Sequence, residues 1–125
     1  MIMGYLAQVV AEIPKWVQVT ANGEEIEFTT WPRFEAKTTE DLVSYFDENM
    51  KLARTALEKV TDEEMEKTFY LKNNGQVLMS CPVWDAISSS INHMVHHRGQ
   101  LTVYLRLNNI AVPSIYGPSA DEQTF

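Results

Sequence analysis

Asn92-His93-Met94-Val95-His96-His97-Arg98-Gly99-Gln100-Leu101 lies in a segment that no proline interrupts between Pro82 and the pair Asn108-Asn109. That segment predicts a helix from Val83 to about Asn108, with Pro82 at its start, where a missing N–H does no harm. At 3.6 residues per turn, Ala86, Ser90, His93, His97, Gln100 and Tyr104 share one face. Beside them Ile87, Ile91, Met94, Leu101 and Leu105 form an apolar stripe suited to a core. A line of small and polar side chains next to an apolar one is how a helix lines a pocket inside a bundle.

His93 and His97 are four residues apart, so their imidazoles point the same way, about 6 Å apart along the axis. Two neutral imidazoles so placed can hold one divalent ion; the commoner role of a buried histidine at such a spacing is a hydrogen bond to a carboxylate. His96 lies about 100° round the helix and points elsewhere. The pattern His-Glu-x-x-His is absent, so no zinc-protease base is on offer, and no glycine-rich phosphate loop appears. Cys81 has no basic neighbour in sequence and reads as a small buried residue rather than a nucleophile. Trp16, Trp31 and Trp84 read as core or loop anchors.

Outward from this helix, Ile2, Leu6, Val9, Ile13, Trp16 and Val17 recur at helical spacing, predicting a first helix to about Thr20. Pro14 sits inside it, and the ring and missing N–H predict a kink or break beside Ile13. Ala21 to Lys37 reads as a long surface loop, with Asn22-Gly23, an acidic run and Trp31-Pro32. Thr38-Thr39-Glu40-Asp41 opens a second helix with a Thr cap and a carboxylate three residues on, and Leu42, Tyr45, Phe46, Met50, Ala53, Leu57 and Val60 form its stripe. Thr61-Asp62-Glu63-Glu64 caps a further helical turn. Asn73-Asn74-Gly75 is a turn whose flanks, Thr68 to Lys72 and Gln76 to Met79, pair as a short hairpin. Pro113 and Tyr116-Gly117-Pro118 belong to an extended tail. Three long helices make the fold class all-α, a single helical-bundle domain over residues 1–125. The first helix begins at Met1 without a cap, as if a preceding element were missing or supplied by another subunit.

The chain has 125 residues, 45% of them apolar, enough for one core without staples. Ten Lys and Arg against seventeen Asp and Glu leave a net charge of −7. That balance argues against nucleic-acid partners and against an anionic membrane surface. One cysteine and no secretion signal fit a reducing cytoplasm.

The stretch from Asn92 to Arg106 resembles the DinB-like family, as do the tail from Val112 to Glu122, the early segment Leu6 to Trp16, and Asn74 to Leu78. The resemblance covers nearly the whole chain. It implies a four-helix bundle of up-down-down-up type, often dimeric, with a three-histidine site for a divalent ion, commonly nickel or zinc. It implies a metal-dependent transferase or hydrolase, such as an S-transferase using a low-molecular-weight thiol of the bacillithiol or mycothiol kind. His93 and His97 match the two C-terminal ligands. The third stands in the early helix of the family, where this chain has Val9, and the family's first helix has no counterpart here. The resemblance therefore implies a partial metal site. Glu12, one turn after Val9, is a candidate substitute ligand, and Gln8 a weaker one. The alternative is a non-catalytic bundle that binds a partner or small molecule without metal.

A bundle short of one helix leaves an apolar groove. Covering it predicts a homodimer through Ile2, Leu6, Val9 and Ile13 of the first helix and Ile87, Ile91 and Met94 of the third. The competing expectation is a monomer whose loop, Ala21 to Lys37, folds over the groove with Phe28, Trp31 and Phe34.

Overall fold

A computed structural model describes residues 2–123. Four helices and a small sheet follow in the order α1 (Met3–Ala21), β1 (Ile26–Glu27), α2 (Thr39–Lys59), α3 (Asp62–Met65), β2 (Thr68–Asn73), β3 (Gln76–Pro82) and α4 (Val83–Leu107). The three long helices stand where the periodicity puts them. The capping boxes do too: Thr38 Oγ1 accepts from the Asp41 N–H while Asp41 accepts from the Thr38 N–H, and Thr61 and Glu64 repeat the exchange for α3.

The expectation of an all-α fold is corrected. The hairpin β2–β3 forms as expected, turning at Asn74 and Gly75, both at positive φ, but runs on to Pro82. β1 adds to it in parallel, Ile26 beside Leu71, to give a three-stranded sheet in the order β1-β2-β3. The stretch read as loop from Ala21 to Lys37 therefore contains a strand, and Ile26 is buried in the core. Two residues are too few to show the alternation by which a strand is recognised in sequence. Glu27 pins this addition: its carboxylate accepts from the Asn74 and Gly75 N–H groups of the hairpin turn, each at 2.9 Å.

Of the kink or break expected beside Ile13, the break is corrected. α1 continues through it, and Ile13 and Pro14 are both buried. A proline inside a helix costs about 3 kcal/mol, but α1 is packed against both α2 and α4, and tertiary burial of such a helix outweighs local propensity. Asn49 of α2, not part of the predicted stripe, is buried and donates to the Ala11 carbonyl at 3.0 Å, tying α2 to α1.

The core is built where Val17 and Ala21 of α1, Ala53 and Ala56 of α2, Ile26 and Phe69 of the sheet, and Val83, Ala86 and Ile87 of α4 meet. Its α2 and α4 residues are mostly small, and α1 packs against each of these two helices. The tail is tied back to α4 by Arg106, which pairs with Asp121, and by Arg98 over the Tyr116 ring at 5.0 Å. Among the described residues no helix is long and apolar enough to cross a membrane.

Three residues expected at a dimer interface, Leu6, Ile13 and Ile87, lie in the core of the single chain. Ile91, placed in the core stripe of α4, is instead 47% exposed, and so is Trp84, which anchors no core.

Candidate functional site

The start of α4 shares a core with the end of α1, whereas further along α4 the His93 ring meets Trp16, centroids 5.3 Å apart. α4 therefore runs back along α1, and each turn forward from His93 matches a turn backward from Trp16. That brings His97 level with the turn holding Glu12 and Val9.

His93 and His97 lie side by side, with their Nε2 atoms 2.6 Å apart. His97 Nδ1 donates to Gln100 Oε1 at 2.7 Å. With its proton on Nδ1, His97 accepts at Nε2 from the His93 Nε2–H, so a hydrogen bond closes the pair. Burial, and then the neighbouring His97 and His96, hold the His93 imidazole below its ordinary pKa, so it stays neutral at pH 7. His96 is exposed, as its place on the helix requires.

Both rings face a cavity of about 1040 Å³, bounded by α1, the start of α2, α4 and the segment 28–38. Its walls are rich in aromatic rings, among them Tyr5, Trp16, Phe28, Trp31, Phe34 and Tyr45. The segment from Phe28 to Thr38 lies over it as a strap with three fastenings. Trp31 Nε1 donates to Glu12 Oε1 at 3.0 Å. The Ala36 N–H donates to Gln8 Oε1 at 2.6 Å. Phe34 stacks on Tyr45, centroids 3.8 Å apart and planes 9° from parallel. Lys15 sits over the Trp31 ring at 5.3 Å. The segment folds over the groove within the single chain, with Trp31 and Phe34 partly buried and Phe28 half exposed. Burial and the nearby Glu12 charge push the Tyr45 hydroxyl above the usual phenol range.

The donor set can be tested against a divalent ion. His93 and His97 fit two positions: their Nε2 atoms converge and one tautomer is fixed. A three-donor set does not form in this arrangement, because among the described residues no group of three His, Cys, Asp or Glu side chains comes together. Val9 lines the cavity and offers no donor. Cys81 lies on β3, away from the pair, and burial followed by Asp85 pushes its thiol pKa up, the opposite of an activated thiolate.

Sequence reading brought out the histidine pair and Glu12 but not the Glu12–Trp31 bond, which joins residues from different elements. The one local signal was the spacing of Glu12 and Trp16, four apart on the face that also carries Val9.

Comparison with known proteins agrees with this architecture. The fold matches a DinB-like protein of Bacillus subtilis, YjoA, with a TM-score of 0.65 at 19% identity, over 99% of this chain and 76% of that one. A segment of 32 residues is 53% identical to YrdA of Bacillus subtilis, described as an uncharacterized protein; it makes up 26% of this chain and only 19% of that protein. The DinB family model matches residues 2–124, and the chain belongs to the DinB family.

Proposed function

We propose that the protein is a metal-dependent transferase or hydrolase acting on a small molecule held in the aromatic cavity, with His93 and His97 as its ligands to nickel or zinc. The observation that carries this reading is the convergence of the two Nε2 atoms at 2.6 Å, with the far side of His97 engaged by Gln100. A divalent ion bound there would lower the pKa of a thiol or water and supply a nucleophile near neutral pH. The chain's own residues do the rest. Burial keeps His93 neutral and available as a donor. Gln100 holds the proton of His97 on Nδ1. The rings of Trp16, Trp31 and Tyr45 offer flat apolar walls to a ligand, and the strap limits the access of water. The family resemblance points to S-transfer from a low-molecular-weight thiol, and the single cysteine fits a reducing cytoplasm.

Two measurements test this. Calorimetric titration with zinc and nickel should show a site that His93→Ala loses. The loaded protein should then consume a thiol such as bacillithiol in the presence of an electrophilic acceptor. Metal binding without thiol consumption or hydrolysis would remove the enzymatic part.

The two-donor count favours a second reading, a non-catalytic bundle that binds a small molecule without metal. In either reading we propose a homodimer, formed through the outer face of α4, where Trp84, Ile91 and Val95 line up at helical spacing and are 47%, 47% and 38% exposed. Sedimentation at micromolar concentration should give twice the chain mass, and Ile91→Lys should return it to one.

A further inference from the structure

We propose that the cavity takes a small, uncharged aromatic molecule bearing a carbonyl oxygen, and that the indole N–H of Trp16 and the hydroxyl of Tyr45 are the donors that meet this oxygen. The inference rests on the reading that the cavity holds a small molecule, which the metal-dependent and metal-free alternatives share, and it names the class of that molecule. In the cavity wall Glu12 accepts from Trp31, Gln8 accepts from the Ala36 N–H, and His93 and His97 bond each other. Two buried polar atoms of the wall are left over. Trp16 Nε1 and the Tyr45 hydroxyl are shut off from solvent and have no hydrogen-bond partner among the described residues. Their rings border the same cavity, one from α1 and the other from α2. Asn49 and Glu12 approach the Tyr45 hydroxyl without bonding to it, since Asn49 donates to the Ala11 carbonyl and Glu12 is held by Trp31.

An indole N–H can only donate, and a phenol can donate as well as accept, so the demand left in the wall is for an acceptor. A ligand oxygen that meets a buried donor gains its own hydrogen bond and also ends the penalty of an unpaired group. The charge of that oxygen follows from its surroundings. Burial and the nearby Glu12 charge both disfavour a negative charge at the Tyr45 oxygen, and both act against a ligand carboxylate placed beside it. Arg33 and Lys37 also line the cavity, but both are exposed on the strap, where water and salt screen them. An ammonium group has no acceptor and leaves both donors unmet. What fits is the uncharged oxygen of a ketone or an amide. The walls set the rest of the molecule. Phe34 stacks on Tyr45 at 3.8 Å with planes 9° from parallel, so this face accommodates a flat ring. Trp16 meets the His93 ring at 5.3 Å, so a ligand held by Trp16 sits beside the histidine pair.

The test is titration of the full chain, without added metal, with acetophenone, benzoate, benzylamine and ethylbenzene, the last having a methylene in place of the carbonyl. The indole N–H signals are followed by nuclear magnetic resonance, and the Trp16 signal is assigned by its loss in Trp16→Phe. Acetophenone should bind most tightly and move the Trp16 signal. Tyr45→Phe keeps the ring and removes the hydroxyl; it should weaken acetophenone about three- to tenfold, the loss of one neutral hydrogen bond, and leave ethylbenzene unchanged. Tighter binding of benzoate or benzylamine than of acetophenone overturns the uncharged carbonyl. Equal binding of acetophenone and ethylbenzene, with a stationary Trp16 signal and no loss specific to acetophenone in Tyr45→Phe, overturns the donor assignment and leaves a cavity for apolar molecules standing. If none of these probes moves a signal from the cavity wall, the small-molecule reading falls and takes this proposal with it.

Discussion

Gln100 stands one turn beyond His97 on α4 and accepts the His97 Nδ1 proton at 2.7 Å, so the imidazole is oriented by its own helix. A ring steered by a residue three positions away keeps its tautomer whatever the strap does. Gln100→Leu should therefore weaken zinc or nickel affinity about 10- to 100-fold, the range for losing such an outer contact. Gln100 is exposed, so circular dichroism should show an unchanged helix content.

Val9→His places an imidazole on the α1 turn that faces His97. Zinc should bind at least roughly tenfold more tightly than to the wild type. Calorimetry on the two proteins checks this, and a protein that folds yet binds no better would show that the turn does not reach the histidine pair.

Acid should weaken the sheet through Glu27. Hydrogen bonds from the Thr29 side chain and N–H, and from the Gly75 and Asn74 N–H groups, hold its carboxyl at about 2, against 4.5 without them. The unfolded chain takes up the proton first, so the contribution of Glu27 is complete above 4.5 and is lost as the pH falls toward about 2. Glu64 and Asp121 are also held low and act in the same direction. The comparison that isolates Glu27 is urea unfolding of wild type and Glu27→Gln from pH 5 to pH 2. The two curves should converge at the acid end, with the variant the less stable of the two at pH 5.

Ile13 has no exposed surface and sits beside Pro14 in α1, the helix that packs against both α2 and α4. Ile13→Ala should cost about 2–5 kcal/mol, read as a lower urea midpoint with an unchanged slope. A much smaller loss would mean that the chain around Pro14 collapses into the space.

The three long helices were legible because each has both a periodic stripe and a chemical start: Thr38 with Asp41 for α2, and Pro82 before α4. The histidine pair followed from spacing within one helix. What escaped was non-local. β1 is two residues long and exists because Leu71 and Lys72 offer it a free edge, which nothing near Ile26 in sequence announces. Pro14 argued for a break on local grounds and was overruled by packing on both sides of α1. Leu6, Ile13 and Ile87 were read as an interface because periodicity tells which residues seek burial, not whether the same chain supplies the cover. Glu12 was singled out for its place near Val9, but its partner, Trp31, comes from across the strap.

The parallel pairing of Ile26 with Leu71 encloses the whole of α2 and α3, so it closes a far larger loop than the β2–β3 hairpin it joins. Helices and the β2–β3 hairpin form from neighbours in sequence and have no such delay. The sheet is therefore finished after its hairpin, when β1 docks and Glu27 reaches the hairpin turn. The strap hangs directly from that strand. In a refolding experiment, the far-ultraviolet signal should recover before the Trp31 environment does, and competence to close over a ligand should trail both. The same hierarchy in reverse lets the wall of the cavity come away while the helices that carry His93, His97 and Glu12 stay folded.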